Sequence, residues 1–253
     1  MTVNLSCDRD PGDTACSGRG AGASTRTGTR LPLAGLVEFS TCDWPGRLVA
    51  TAFCQGCPWS CPYCHNPALR DPRAPATVPW SDLTDLVRRR RGLLDGVVLS
   101  GGEPTVHPQF PTAARELKDL GTGVGLHTGG ALPGRLEAAL GALDWVGLDI
   151  KAPRRLYRQL TGSDTAADRA FESLRLLRGS GADHEVRTTL DLRLDEESLF
   201  ELAEELLAEG VTAFTLQALR SQDGRTVLRR PSDLSAALLD RWRGSFRALV
   251  LRE

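Results

Sequence analysis

The segment FCQGCPWSCPYCHNP, Phe53–Pro67, holds four of the seven cysteines of this chain: Cys54, Cys57, Cys61 and Cys64. Two kinds of metal site fit this spacing. Four thiolates can hold a tetrahedral structural zinc ion, or three can hold three irons of a [4Fe-4S] cluster and leave the fourth iron open. A pair of disulfides is disfavoured because the spacing is tight and the total number of cysteines is odd.

The position of the cysteines favours the cluster. The segment follows a short apolar run, Leu48–Phe53, which predicts the first strand of a barrel. In such folds the loops at the carboxyl ends of the strands carry the chemistry, and here all the thiols lie in one loop rather than in two separated zinc knuckles. We therefore predict Cys57, Cys61 and Cys64 as the ligands. Cys54, at the end of the strand, is predicted to be a small buried hydrophobic residue.

Short apolar runs alternate with longer amphipathic segments along the rest of the chain. The runs are Leu48–Phe53, Gly96–Ser100, Gly123–Thr128, Trp145–Ile150, Glu185–Leu190 and Ala213–Gln217. Helices are predicted over Trp80–Leu94, Asp195–Glu209 and Ser232–Arg247. This alternation predicts an α/β fold, a partial (β/α)6 barrel with parallel strands, and a doubly wound open sheet is the alternative.

The amino-terminal segment differs in composition from the rest. Residues 1–30 are rich in Gly, Ser, Thr, Arg and Asp, which predicts a disordered tail in which Cys7 and Cys16 are free thiols. Residues 31–253 form the predicted barrel domain. The net charge of −1 argues against nucleic-acid binding, and no apolar run is long enough for a membrane span. The chain also lacks the apolar region of a signal peptide, so we expect a cytoplasmic protein whose thiols stay reduced.

Two motifs resemble those of the radical S-adenosylmethionine superfamily. The sequence CPWSCPYC resembles the cluster loop of that family, with Tyr63 at its aromatic position, and SGGEP, Ser100–Pro104, resembles its GGE motif. The resemblance implies a [4Fe-4S] cluster whose open iron chelates S-adenosylmethionine. It also implies that Gly101 and Gly102 let the backbone approach closely and that Glu103 accepts a hydrogen bond from the cofactor's ammonium group.

Four further side chains are candidates for the cofactor site. Asp149 and Lys151 follow the fourth predicted strand, and the resemblance places such residues on the carboxylate and ribose side of the cofactor; a salt bridge at the rim is the alternative. Arg187 needs an anionic partner if buried, either the methionine carboxylate or a carboxylate such as that of Asp149. His127 is expected to contact the adenosyl group or to be a satisfied strand-end histidine. No residue is predicted as a catalytic acid or base, because the cofactor supplies the chemistry.

A finer resemblance covers Leu36 to Arg220. The sequence FSTCDWPGRL and the ending Cys-His-Asn of the cluster loop are similar to the activating enzymes of glycyl-radical enzymes, and further stretches resemble the activase of anaerobic ribonucleoside-triphosphate reductase. The matching positions are Thr41, Asp43, Pro45 and Gly46. One departure is Thr128-Gly129-Gly130 where the family often has Thr-Asn-Gly, and Cys42 and Trp44 also occupy variable positions.

That resemblance implies a specific activity. A one-electron donor such as flavodoxin or ferredoxin would reduce the cluster, S-adenosylmethionine would be cleaved to methionine and a 5′-deoxyadenosyl radical, and the radical would abstract hydrogen from a glycine of the partner reductase. Gly129 and Gly130 are expected to leave room for an extended segment of that partner. Two alternatives stay open: a radical enzyme acting on a small purine-like or pterin-like molecule, and a non-catalytic binding module stabilised by zinc.

Overall fold

The computed structural model describes residues 30–253, which contain ten strands and seven α-helices. The strands are β1 (Leu33–Ser40), β2 (Val49–Cys54), β3 (Gly96–Gly101), β4 (Gly123–Thr128), β5 (Trp145–Asp149), β6 (Asp183–Thr189), β7 (Ala213–Gln217), β8 (Leu219–Arg220), β9 (Val227–Arg229) and β10 (Ala248–Arg252). The helices are α1 (Trp80–Arg89), α2 (Phe110–Asp119), α3 (Pro133–Ala139), α4 (Tyr157–Thr161), α5 (Ala166–Ser180), α6 (Glu196–Ala208) and α7 (Ala236–Ser245).

Eight of the strands form one sheet in the order β1-β2-β3-β4-β5-β6-β7-β10. Strands β2 to β7 pair in parallel in the order of the sequence, and each connection between them contains at least one helix. These six strands are the six predicted apolar runs, with ends that differ by up to two residues. The predicted α/β fold, a partial barrel of parallel strands, is confirmed.

The two outer strands of the sheet were not predicted. Strand β1 pairs antiparallel with β2, and β10 pairs in parallel with β7. The prediction of a last helix over Ser232–Arg247 was too long, because α7 begins after the Ser235 cap and the chain then returns to the sheet as β10. The predicted helix Trp80–Leu94 was also too long: it ends at Arg89, before a turn in which Gly92 has a φ of 80°.

The outer face of the parallel sheet packs against the helices. Leucines on four of its strands are fully buried there: Leu99, Leu126, Leu148 and Leu216. Burial of each such side chain stabilises the fold by about 1.5–3 kcal/mol. The opposite face lines the inside of the barrel, and its residues near the carboxyl ends of the strands are polar, among them His127, Asp149 and Arg187.

The amino-terminal end of the barrel is filled by the loop between β1 and β2. The indole of Trp44 stacks on that of Trp145, with ring centroids 5.7 Å apart and an interplanar angle of 19°. Glycines on the strands make room for it: a β-carbon at Gly96 would lie 3.0 Å from the Trp44 ring, and one at Gly125 would lie 2.9 Å from it. Trp44 therefore forms a floor beneath the polar part of the barrel interior.

Among residues 30–253, none of the helices has the length and hydrophobicity of a membrane span. Except for Arg30, the predicted tail, with Cys7 and Cys16, lies outside the described residues.

Candidate cofactor site

The cysteine loop begins where β2 ends and is held in place by backbone hydrogen bonds. Gly56 and Cys57 donate their N–H groups to the carbonyls of Leu69 and Arg70, at 2.7 and 3.1 Å. Further along, the N–H of Ser60 donates to a carbonyl of α4, that of Thr161, at 2.9 Å. The loop is thus fixed to the chain that follows it and to a helix on the far side of the barrel mouth.

The three predicted ligands lie together in this loop. Cys61 is buried, and Cys57 and Cys64 are half-buried. Burial raises the pKa of Cys57 to about 12, with the Glu103 carboxylate adding to the effect. Burial also raises the pKa of Cys61, and the Lys151 ammonium opposes the increase. Ionising these thiols at neutral pH therefore requires a cation that binds the thiolates, which is what iron supplies.

Within residues 30–253, no group of three His, Cys, Asp or Glu side chains is close enough together to hold one metal ion. The three cysteines of the loop fit a [4Fe-4S] cluster, in which each thiolate binds a different iron. Beside them, the buried Nδ1 of His65 has no hydrogen-bond partner within the described residues and could be satisfied by a group bound at the thiols.

Cys54 lies in a different environment from the three predicted ligands. It is the last residue of β2, it is 0% exposed and it packs in the hydrophobic core. The prediction that Cys54 is a small buried hydrophobic residue is confirmed. Burial raises the pKa of its thiol well above the ordinary value.

Gly101 and Gly102 bring the end of β3 against the start of the cysteine loop. A β-carbon at Gly101 would lie 2.2 Å from the backbone nitrogen of Cys54, and one at Gly102 would lie 2.2 Å from the carbonyl oxygen of Gly56. The φ of Gly101 is 113°, a conformation that side chains disfavour. Two backbone hydrogen bonds also join these segments. The N–H of Gly102 donates to the carbonyl of Cys54, and the N–H of Glu103 donates to the carbonyl of Gly56, both at 2.9 Å.

The side chain of Glu103 is 2% exposed and connects the ends of two strands. Its Oε1 accepts hydrogen bonds from the hydroxyls of Thr105 and Thr128, at 2.7 and 2.6 Å, and from the Thr105 N–H at 3.1 Å. Its Oε2 accepts from the N–H of Gly129 at 2.8 Å. Burial raises the pKa of Glu103, and these hydrogen bonds oppose the increase. The carboxylate therefore organises the turn after β4, and Oε2 keeps capacity for a second donor. Sequence reasoning missed Thr105 and Thr128.

Gly129 and Gly130 do not provide the open space that the sequence led us to expect. A β-carbon at Gly129 would lie 2.1 Å from Cζ3 of Trp59, and one at Gly130 would lie 2.8 Å from Cβ of Ser173. Both glycines are buried and packed. The expectation of room for a partner segment at these glycines is wrong, because the indole of Trp59 from the cysteine loop fills the space over Gly129.

Lys151 lies between aromatic rings and a carboxylate at the mouth of the barrel. Its Nζ is 5.6 Å from the ring centroid of Trp59 and 5.8 Å from that of Tyr63. It is also 3.5 Å from Oδ2 of Asp149. Burial lowers the pKa of Lys151, but Tyr63 and Asp149 outweigh burial and raise the pKa above its ordinary value. A permanent positive charge thus stands beside the cysteine loop.

Asp149 also pairs with Arg187, the alternative that the sequence left open. Nε of Arg187 donates to Oδ1 of Asp149 at 2.5 Å, and Arg187 is 8% exposed. Burial alone would raise the pKa of Asp149, but Arg187 and Lys151 outweigh it and lower the pKa to about 2. Both predicted rim residues, Asp149 and Lys151, are therefore joined to Arg187 in one charged group.

His127 lies deeper in the barrel. Its Nε2 is 2.7 Å from the backbone carbonyl of Asp43, so Nε2 carries the proton and donates it, and Nδ1 is left to accept from the Ser100 hydroxyl at 3.5 Å. Burial, together with the Arg187 charge, lowers the pKa of His127 to about 4. The histidine is neutral at physiological pH, and it fixes the loop that carries Asp43, whose carboxylate accepts a hydrogen bond from the Thr51 hydroxyl at 2.7 Å.

Comparison with known proteins gives the relatives of this chain. The family model for the radical SAM superfamily matches residues 51–207. A protein of Methanocaldococcus jannaschii that is named as a glycyl-radical enzyme activating enzyme is 28% identical over 182 residues, which are 68% of this chain and 73% of that protein. The pyruvate formate-lyase-activating enzyme of Clostridium pasteurianum is 33% identical over 114 residues, 43% of this chain and 48% of the enzyme.

Among solved structures, SuiB of Streptococcus suis bound to S-adenosylmethionine has the same fold, with a TM-score of 0.60 at 15% identity. The alignment covers 79% of this chain and 48% of SuiB, so this chain corresponds to about half of that protein. The match to the family model spans well over half of the chain and contains the cysteine loop, the Gly-Gly-Glu turn and strands β3 to β6. The chain belongs to the radical SAM superfamily, and its cofactors are a [4Fe-4S] cluster and S-adenosylmethionine.

Proposed function

We propose that this protein activates a glycyl-radical enzyme, and that its partner is an anaerobic ribonucleoside-triphosphate reductase. The observation that carries the proposal is the similarity to a protein named as a glycyl-radical enzyme activating enzyme over 73% of that protein's length. The segment Thr41–Gly46, which resembles the corresponding segment of such activases, adds support because its Trp44 packs inside the barrel and its Asp43 is bound by Thr51 and His127. When bound, the two cofactors supply a one-electron reductive cleavage that yields methionine and a 5′-deoxyadenosyl radical.

The residues of the chain bind and orient the cofactors. Cys57, Cys61 and Cys64 would hold the cluster, and the half-buried Tyr63 lies between two of these ligands in the loop. Gly101 and Gly102 keep the backbone of β3 close to the start of that loop. Oε2 of Glu103, which accepts one hydrogen bond from Gly129, would accept a second from the ammonium group of S-adenosylmethionine.

The charged group at the rim, formed by Asp149, Lys151 and Arg187, would bind the carboxylate of the methionine moiety of S-adenosylmethionine. Lys151 and Arg187 share one carboxylate, that of Asp149. Two cations against one anion leave one positive charge, which suits the cofactor carboxylate. His127, neutral and on the inner face of the barrel, would contact the adenosyl group, and its hydrogen bond to the carbonyl of Asp43 keeps that loop in place.

The test is direct detection of the product radical. Anaerobically reconstituted protein, S-adenosylmethionine and reductant are incubated with an anaerobic ribonucleoside-triphosphate reductase, and a doublet glycyl-radical signal is expected in electron paramagnetic resonance. The matched control is a reductase in which the radical-bearing glycine is replaced by alanine. The Cys61→Ala protein serves as the control for the activase.

A different outcome would select the alternative enzyme. If no glycyl-radical enzyme acquires a radical while a purine-like or pterin-like molecule consumes the 5′-deoxyadenosyl radical, the activase proposal is wrong. The assignment of the chain to the radical SAM superfamily would be unaffected. In the activase proposal, the electron comes from a protein such as flavodoxin or ferredoxin, in a reducing cytoplasm.

A further inference from the structure

The cysteine loop is closed at its base by the side chain of Gln55. This residue follows Cys54, the last residue of β2, and is only 4% exposed. Its Nε2 donates two hydrogen bonds, to the carbonyl of Ala68 at 3.1 Å and to that of Asp71 at 2.8 Å. Both carbonyls come after the last cysteine, so this one side chain joins the segment before the three predicted ligands to the segment after them.

Two backbone groups extend this contact. The N–H groups of the next two residues, Gly56 and Cys57, donate to the two carbonyls that lie between those bound by Gln55. Residues 55–57 thus give hydrogen bonds to four consecutive carbonyls, those of residues 68–71. We refer to these two segments together as the clasp. Cys57, the first predicted ligand, is a member of it.

The chemistry of glutamine suits this position. Pro67–Leu69 is a short 3₁₀-helix, so the carbonyls of the clasp lie at and beyond its carboxyl end. The last carbonyls of a helix need donors from elsewhere in the chain. A glutamine amide carries two N–H donors on one nitrogen, whereas a glutamate of the same length offers only acceptors when ionised and a methionine offers no donor.

The backbone of Gln55 is held independently of the loop that its side chain closes. Its N–H donates to the carbonyl of Pro32 at 3.0 Å, just before β1. The imidazole of His107 is also hydrogen-bonded to the backbone of Gln55. His107 belongs to the turn after β3, the same turn that carries Glu103. The side chain therefore starts from a fixed point and can determine where the loop lies.

The clasp also connects a predicted cluster ligand to the predicted ammonium acceptor. The carbonyl of Gly56 accepts a hydrogen bond from the N–H of Glu103 at 2.9 Å, and the next residue is Cys57. A clasp that opens would move Cys57 relative to Glu103. Because S-adenosylmethionine would bind both the cluster and Glu103, its affinity depends on the separation of the two.

We infer that Gln55 is a positioning residue, whose amide fixes Cys57 relative to Glu103 and thereby sets the affinity of the cluster-bearing protein for S-adenosylmethionine. The inference rests on the cofactors of the family and not on the identity of the partner protein. A failure to form a glycyl radical would therefore leave it unaffected. Since the clasp is formed by the chain alone, loss of the amide is expected to loosen the loop before any cofactor is bound.

The first test uses the protein before reconstitution. Amide hydrogen exchange is compared by mass spectrometry in the wild type and in Gln55→Met, whose side chain has a similar size and no donor. The N–H groups of Gly56 and Cys57 are expected to exchange at least about 5-fold faster, because two hydrogen bonds of the clasp are lost. The amides of β5 should exchange at the wild-type rate. Gln109→Met, at a half-buried glutamine outside the clasp, is the matched control.

The second test measures cofactor binding for each cluster present. Reconstituted protein without reductant is dialysed to equilibrium against labelled S-adenosylmethionine, and bound ligand is divided by cluster content from iron and sulfide analysis. Gln55→Met and Gln55→Glu are each expected to raise the dissociation constant at least about 5-fold. The electron paramagnetic resonance spectrum of the reduced cluster, recorded without S-adenosylmethionine, should also differ from that of the wild type, because Cys57 is displaced.

A destabilised variant separates positioning from stability. Leu238 is fully buried in α7, and Leu238→Ala destabilises the fold by leaving a cavity there. This variant should keep the wild-type dissociation constant and the wild-type spectrum. Wild-type affinity and exchange in both Gln55 variants would overturn the inference, as would an equal loss of affinity in Leu238→Ala.

Exchange decides the case in which a Gln55 variant assembles no cluster. Faster exchange confined to residues 56–71 of the unreconstituted protein would then support the inference. Faster exchange throughout the sheet would show that Gln55 is needed for the fold as a whole, and the inference would be wrong. Faster exchange in the loop together with a wild-type dissociation constant would also contradict it, since the clasp would then have no bearing on the cofactor.

Discussion

The indole of Trp59 lies so close over Gly129 that a β-carbon there would be 2.1 Å from ring atom Cζ3. Trp59 belongs to the cysteine loop between two of the proposed cluster ligands, and it is 4% exposed. Gly129 belongs to the turn after β4 and donates its N–H to Glu103. The pair therefore joins the cysteine loop to the Glu103 carboxylate, and it explains why position 129 has a residue without a β-carbon.

Gly129→Ala is expected to destabilise the protein by about 1–3 kcal/mol, the usual cost of inserting a methyl group into a packed interior. The change should also lower the amount of cluster that the protein retains, because the loop must shift. Urea denaturation gives the first quantity, and iron analysis gives the second. Gly134→Ala is the control, since nothing lies within 4 Å of a β-carbon at Gly134.

Combining Gly129→Ala with Trp59→Leu tests whether the two positions are coupled. The smaller side chain removes the clash, so the double variant should be more stable than the sum of the single changes predicts, by at least about 1 kcal/mol. Additive effects would mean that Trp59 does not constrain Gly129.

The three loop cysteines and Cys54 are expected to behave differently on substitution. Cys57→Ala, Cys61→Ala and Cys64→Ala should each abolish the cluster, whereas Cys54→Ala should keep about four irons, because three thiolates suffice to hold a cluster that leaves one iron open. Iron and sulfide analysis after anaerobic reconstitution measures this. Loss of iron in the Cys54 variant, with retention in any of the other three, would reverse the ligand assignment.

Glu103→Ala is expected to weaken binding of S-adenosylmethionine by roughly 1.5–3 kcal/mol, the range for a hydrogen bond to a charged group. Thr128→Val leaves the carboxylate in place and removes one of its donors. If Glu103 binds the ammonium directly, Thr128→Val should have the smaller effect on the dissociation constant in an equilibrium binding assay. Equal effects would instead assign Glu103 the role of holding the turn after β4.

His127 should make the stability depend on pH in a defined range. Its pKa is lowered from 6.5 to about 4 in the folded protein, so between these values the unfolded chain binds more protons than the folded one. The free energy of unfolding should therefore fall as the pH decreases from about 6.5 to about 4, by at most about 3 kcal/mol. His127→Gln should flatten this part of the curve, and His184→Gln, at an exposed histidine, should not. A steep slope in the His127 variant would assign the dependence to other groups.

The six central strands could be predicted because their apolar runs are buried on the helix side and are separated by amphipathic helices. The residues at their carboxyl ends followed from the same pattern, since parallel strands bring these ends to one rim. Cys54 could be separated from the other cysteines because it falls within a strand, where its side chain points into the core.

The parts that could not be predicted depend on contacts between distant segments. Strand β10 has only five residues and acquires its conformation by pairing with β7. The location of Trp44 inside the barrel depends on glycines of two other strands, whose common face is known only once the register is known. The space over Gly129 was expected to be empty because nothing in the local sequence indicates that Trp59, 70 positions earlier in the chain, fills it.

The two outer strands of the sheet have a mechanical consequence. Apart from one bridge between Leu33 and Val78, the outer edges of β1 and β10 have no strand partner within residues 30–253. A closed barrel has a fixed circumference, because widening it would break a ladder of hydrogen bonds somewhere around the ring. Here the sheet can uncurl or tighten without breaking any ladder. The width of the barrel interior can therefore change at low energetic cost. It is limited by side-chain contacts such as that of Arg252 on β10, which donates to Glu185 on β6 at 2.7 Å.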